Sequence, residues 1–286
     1  MKFIKSNWVY VLWFIVYFLV ALVLLGVNVE NLIFIMAFYA ISITIALSPI
    51  GEWLLRNFEG ARRLETREER EYLEPLFDEV YQNAKAENPK LSDNIGLFII
   101  DAMFVNAFAM GRNTIAVTTG AIESFTEDEL KGVLAHELGH ITYGHTKALL
   151  LSVIGNMLFS VLILILRLII FAVDLLNAIF AQTSIGYIIM KIMTIIVNMV
   201  FNASIFLFMY LGQILLSLNS RFNEFEADEF AYKINFGDEL ISALYLLKKI
   251  SGSHKMTLKE KMTASHPHIA VRIGRLERMQ EENENQ

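Results

Sequence analysis

The chain has 286 residues, 55% of them hydrophobic, and a mean hydropathy of +0.47, well above that of an ordinary soluble domain of this length. Its 24 Lys and Arg against 30 Asp and Glu give a net charge of −6 and a pI near 5.6, which argues against a nucleic-acid partner. It has no cysteine, so disulfides and thiolate metal sites are excluded.

Charge is segregated along the chain. Trp8 to Val27 is a continuous apolar run of about 20 residues, enough at ~1.5 Å per residue to cross a hydrocarbon core of roughly 30 Å. Lys2 and Lys5 ahead of it resemble the start of a signal peptide, but the run is too long and aromatic and no small-residue cleavage site follows, so it reads as a retained anchor. Leu32 to Ile50 is a second span, making 1–50 an N-terminal transmembrane hairpin. Residues 51–147 are polar. Glu52 to Asn88 reads as one charged amphipathic helix with Leu73, Leu76, Phe77, Val80 and Tyr81 on one face. Three short β-like runs follow, Ile95–Ile100, Phe104–Ala109 and Thr114–Thr118, the last two joined by a Gly111-Arg112-Asn113 turn. Thr126 with Glu129 three residues on is a capping box for a helix through Leu130, Val133, Leu134 and Leu138.

Residues 148–218 are too long for one span and too apolar for a soluble domain. Two helices of about 148–168 and 188–218 fit, with Arg167, Asp174, Asn177, Gln182, Thr183 and Ser184 marking the turn and Arg167 and Lys191 snorkelling outward. Residues 219–286 are polar again and must fold with 51–147. Arg56, Arg62, Arg63, Arg67 and Arg70 follow the second span, Lys2 and Lys5 precede the first, and the Gly26–Asn31 turn has no basic residue. Both termini and the polar domain are therefore expected in the cytoplasm of a bacterial-type cell membrane, with Arg167 and Lys191 voting the other way.

His136-Glu137-Leu138-Gly139-His140 lies within the capped helix. A spacing of four puts both imidazoles on one face, so two neutral nitrogens can reach one Zn²⁺ while Glu137 flanks the site and reaches a water. A hydrolytic zinc site needs a third protein ligand. His145 is rejected for that role, because nine residues from His136 is about 900° of helical rotation, onto the opposite face. The metzincin spacing is also broken by Tyr143 and Thr146, so His145 is assigned a structural role. Ser220 to Asp228 is the better source. Glu224 and Asp228 are four apart on a helix leaving the fourth span, so one carboxylate can ligate the metal and the next can accept the N–H of a ligand imidazole. His140 lies about 12 Å of helix from the third span and Glu224 about 9 Å from the fourth, at matching heights near the inner membrane surface.

At these residues the sequence resembles the M48 peptidase family, above all its HtpX-like membrane proteases and more distantly the Ste24-type CAAX prenyl proteases. The resemblance runs through Asn106-Ala107-Phe108-Ala109-Met110-Gly111, His136 to His140, Arg221 to Asp228, and Ser265-His266-Pro267 followed by Arg272. Two spans before the domain and two between the histidines and the glutamate look like the HtpX-like branch; Ste24-type enzymes have more spans around a large intramembrane chamber, which this chain is too short to build. The resemblance implies a mostly α membrane protein of four transmembrane helices with a small β-sheet and an α+β gluzincin-like domain. It implies one Zn²⁺ per chain on His136, His140 and Glu224, with Glu137 as general base and His266 as the donor for the developing oxyanion.

The alternative for His266 is a loop histidine before Pro267 that starts a helix. Arg221 and Arg272 either orient carboxylates at the site or make ordinary salt bridges. Asn106, Ala107, Phe108 and Ala109 would form an edge strand on which a polypeptide substrate adds as a further strand, the small alanines admitting its backbone; otherwise they are a core strand. The resemblance implies zinc endopeptidase cleavage of cytoplasmic segments of membrane or misfolded proteins, a quality-control role. The alternatives are a catalytically idle, zinc-stabilised membrane scaffold and a prenyl-protein processing protease.

Overall fold

The computed structural model describes residues 7–180, 185–251 and 268–284. Helices α1 (Trp8–Leu25) and α2 (Val29–Ala46) form an apolar hairpin. At its turn Gly26 adopts φ +101°, and the Asn31 amide donates to the carbonyls of Leu25 (2.7 Å) and Gly26 (2.9 Å), satisfying the end of α1 where no further turn can do so. The single helix expected over Glu52–Asn88 is in fact two. Helix α3 (Pro49–Glu59) ends at Gly60 in the left-handed region, the two-residue strand β1 (Ala61–Arg62) follows, and α4 (Arg67–Glu87) restarts on a Thr66/Glu69 capping box.

The sheet has strands β1, β2 (Gly96–Ile100), β4 (Thr114–Thr118) and β3 (Ala107–Met110), in that spatial order. β2 pairs parallel with β4, and the other two pairings are antiparallel. β4 is central and buried throughout, Ile115 and Val117 facing the main core and Ala116 the smaller cluster with Phe98 and Ile100. β3 is left at the edge.

After the short α5 (Thr119–Ser124), helix α6 (Glu127–Tyr143) runs through the middle of the domain. Its expected capping box is present: Glu129 N–H donates to Thr126 Oγ1 at 3.3 Å, and Thr126 N–H to Glu129 Oε2 at 2.9 Å. It is buried on nearly every side, against α4, β3, α8 (Ile185–Lys233) and α9 (Gly237–Ser251). Gly144, at φ +74°, ends it, and α7 (His145–Phe180) sets off in a new direction; α10 (Ile269–Glu284) closes the domain over α8 and α9.

Among the described residues, four helices are long and apolar enough to cross a membrane: α1, α2, the Phe159–Leu176 stretch of α7, and α8 from Lys191 onward. The wide turn expected over 167–184 is absent as such, since α7 continues to Phe180 and α8 begins at Ile185; residues 181–184 lie outside the described residues. Arg167 and Lys191, expected to snorkel, are instead paired across the hairpin, Arg167 with Asn202 at 2.9 Å and Lys191 with Asp174 at 2.7 Å, because a charge on an apolar helix is costly without a partner. The first hairpin is tied to this one: Trp13 stacks on Phe208 with centroids 4.9 Å apart, and Gly212 leaves the room for its indole.

Asn7, which precedes α1 and is fully buried, binds both α6 and α8. Its amide donates to Tyr143 O on α6 at 3.3 Å, and its carbonyl accepts from Asn223 on α8 at 3.4 Å.

Candidate active site

Histidines 136 and 140 lie one turn apart on α6, and Glu224 faces them from α8. The helices meet this closely because Gly139 packs on Ala227, where an added Cβ would stand 2.9 Å from the Ala227 Cα. Gly139→Ala is therefore expected to push α6 and α8 apart and to weaken metal binding at least tenfold in a chelator competition while the helical content is retained; unchanged affinity would show that the approach is not limiting.

Nε2 of His136 is 3.1 Å from Nε2 of His140 and 3.6 Å from Glu224 Oε2, and His140 Nε2 is 3.5 Å from Glu224 Oε1. Three ligand atoms, one per residue, thus lie within 4.8 Å of one another, so the group is able to hold a metal ion, with two imidazoles and one carboxylate as donors. His136 is aimed by Asp228, whose Oδ1 lies 2.9 Å from its Nδ1. Asp228 in turn is gripped by the buried Arg272, through Nε at 2.9 Å and Nη2 at 2.6 Å, and Nη1 of the same guanidinium reaches Glu224 Oε2 at 3.0 Å. Arg272 thus holds the two α8 carboxylates together.

The electrostatics follow from this burial. Desolvation and the Arg272 charge push His136 down, but Asp228 and Glu224 outweigh them and hold its imidazole up at about 9. A metal on Nε2 competes with a proton at that nitrogen, so metal binding is favoured as the pH rises. Burial raises Asp228, yet Arg272 and His136 keep it below the ordinary carboxylate range.

Glu137 is buried beside the histidines, and its Oε2 accepts the Ala109 N–H at 2.7 Å. Thr118 N–H donates to Asn106 O at 3.0 Å, so residues 106, 108 and 110 face β4 with their backbone groups, and 107 and 109 face the free edge. With the Ala109 N–H given to Glu137, the edge still offers the N–H and C=O of Ala107 and the C=O of Ala109. The β3–β4 turn is fixed from outside. Glu52 of α3, buried, accepts from the Arg112 N–H (2.6 Å) and the Asn113 N–H (2.9 Å), and Thr146 Oγ1 donates to Gly111 O at 2.6 Å.

Asn106, Ala107, Phe108 and Ala109 line the same cleft as His136, Glu137, His140, Glu224 and Arg272. Its volume is about 1050 Å³, and it continues between α1, α7 and α8 as far as Tyr17, Asn156 and Phe206. Arg221 lies half-buried one turn before Glu224. His266 falls outside the described residues. Two further side chains join the site: His145, expected on the opposite face in a structural role, and Glu226, which the sequence reading did not single out. His145 Nδ1 lies 2.9 Å from His140 Nδ1, and His145 Nε2 lies 3.2 Å from Glu226 Oε2. The only signal in the sequence was Gly144, which ends the helix and invalidates a rotation count carried past it.

The profile of peptidase family M48 matches residues 67–280, which contain every one of these groups except Asn7, Tyr17 and Glu52. The chain belongs to peptidase family M48. Among relatives of this M48 peptidase, a protease HtpX homolog of Bacillus subtilis is 27% identical over 249 residues, covering 80% of this chain and 78% of the relative. Protease HtpX of Cellvibrio japonicus is 26% identical over 270 residues, covering 88% and 86%. In fold it is similar to the crystal structure of S. mikatae Ste24p, with TM-score 0.53 and 22% identity, across 92% of this chain and 61% of that one. This M48 peptidase spans about three-fifths of that chain. Family, apolar helices and the converging His136, His140 and Glu224 make it a membrane metalloprotease.

Proposed function

We propose that the chain is an integral-membrane zinc endopeptidase that cleaves cytoplasmic regions of membrane or misfolded proteins. The observation that carries this is the meeting of His136, His140 and Glu224 with Glu137 at the free edge of β3. Three protein ligands of this kind fit a catalytic zinc site that keeps one position open. Bound there, zinc supplies a Lewis acid and a lowered pKa for water.

The protein's own groups do the rest. The substrate backbone pairs with the Ala107 N–H and C=O and the Ala109 C=O, which binds sequence-independently. Glu137 takes a proton from the attacking water on its carboxylate and returns it to the leaving amine. Asp228 and Arg272 hold His136 and Glu224 in place, and His266 is assigned to the oxyanion by family resemblance. Residues 51–147 and 219–286 form one catalytic unit, interrupted by the 148–218 hairpin and preceded by the 1–50 hairpin. The arginines after α2 support a cytoplasmic site.

A second reading, cleavage of prenylated peptides, draws on the extension of the cleft between α1, α7 and α8. One experiment separates the readings. In detergent, casein-like unfolded substrate is expected to be cut, a chelator to abolish cutting, and zinc to restore it. Cleavage indifferent to the chelator would sink the metal mechanism. Preference for prenylated over unmodified peptides would favour the second reading, and one bound zinc without hydrolysis of any substrate would mark an idle scaffold.

A further inference from the structure

We infer that His145 and Glu226 are positioning residues for His140, acting through a fixed chain of hydrogen bonds. The inference rests on the zinc reading above and concerns how one of its ligands is held.

Each ring nitrogen in this chain has a single role. His140 Nε2 faces Glu224 and His136, so it is the lone-pair nitrogen available to a metal. Its proton is then on Nδ1. That nitrogen lies 2.9 Å from Nδ1 of His145, and two ring nitrogens at this distance share one hydrogen. His140 donates, His145 accepts, and the His145 proton is consequently on Nε2. There it lies 3.2 Å from Glu226 Oε2, which accepts it. Every step is forced by the one before.

The two ligand imidazoles are therefore supported differently. His136 meets the carboxylate of Asp228 directly, whereas His140 reaches the carboxylate of Glu226 through an intervening imidazole. Both acids come from α8, the helix of Glu224. Glu226 is about 200° around that helix from Glu224, so it faces away from the metal-ligand group. His145 reaches it because Gly144 breaks the chain after Tyr143 and turns the next residue back, and because the Tyr143 ring stacks on the imidazole at 5.7 Å. His145 is 5% exposed, so a polar ring there without partners would be costly; the relay supplies both.

The test compares variants that keep or remove the acceptor for His140, on the full chain in detergent. His145→Asn places an amide oxygen where Nδ1 stood, and His145→Phe fills the space without an acceptor. Zinc affinity is read by competition with a chelating dye, and the ligand field by the visible spectrum of the cobalt-substituted protein. The phenylalanine variant is expected to bind zinc about 10–100-fold more weakly with a shifted cobalt spectrum, and the asparagine variant to recover most of both. Glu226→Leu should weaken binding and Glu226→Gln, which keeps an acceptor, should weaken it less. Should His145→Phe fail to fold, the half-exposed Glu226 pair carries the comparison. Wild-type affinity in His145→Phe or in Glu226→Leu, or equal losses in the acceptor-keeping and acceptor-lacking variants, would overturn the relay alone. Absence of zinc binding by the unaltered chain would overturn the zinc reading with it.

Discussion

Glu137→Gln is expected to lower turnover by about 10²–10⁴-fold while one zinc per chain is retained. Glutamine keeps the shape of the side chain and an oxygen to accept the Ala109 N–H, which lies 2.7 Å from Glu137 Oε2, so the strand and the helix stay in register. What it loses is the ability to take a proton. The ligand residues on either side are untouched, and substrate pairing to Ala107 is independent of the carboxylate, so the defect should fall on kcat and leave KM within a few-fold. Single-turnover cleavage of a peptide substrate together with zinc content measures both. Activity near wild type would require another base, and loss of zinc would show that Glu137 holds the site together.

Arg272→Leu is the second large effect, and it falls on the fold. Arg272 is buried and binds Asp228 through two nitrogens and Glu224 through the third, joining α10 to the metal-bearing stretch of α8. Removing one partner of a buried ion cluster leaves the others uncompensated, which costs about 3–5 kcal/mol. The midpoint of denaturant unfolding of the metal-free protein should drop accordingly. Arg272→Lys should recover only part, because an ammonium cannot make the paired contact to Asp228. An unchanged midpoint for Arg272→Leu would mean that the carboxylates find other partners, and the account of the site would fail at its base.

Much of this was legible beforehand where a local pattern has one physical meaning. The Thr126/Glu129 box and the spacing of His136 and His140 name a helix and a face regardless of what packs on them. Two misreadings came from carrying a helix past its end. Gly60 and the Thr66/Glu69 box together mark a break in the charged 52–88 stretch, but continuous amphipathic charge conceals it. His145 was placed opposite the site by counting turns through Gly144, where the rotation stops. Other features leave no local trace. Asn7 borders an apolar run and Glu52 is one acid among many, and only the tertiary fold buries them against Tyr143 and Asn223 or against the β3–β4 turn. The paired Arg167 and Lys191 were equally ambiguous, since snorkelling and pairing satisfy the same charge.

The residues that build the site are drawn from the whole chain: Asn7 before the first helix, Glu52, Ala109, His136 to His145, Glu224 to Asp228, and Arg272 on the last. During synthesis these arrive in that order, at about 5–20 residues per second, and the α8 carboxylates lack their guanidinium until α10 has emerged and docked. Both hairpins must be inserted before Asn7 can bind Asn223. Until then the catalytic groups of a nascent chain are still apart. The interleaving of membrane and catalytic segments delays assembly of the site until α10 has emerged.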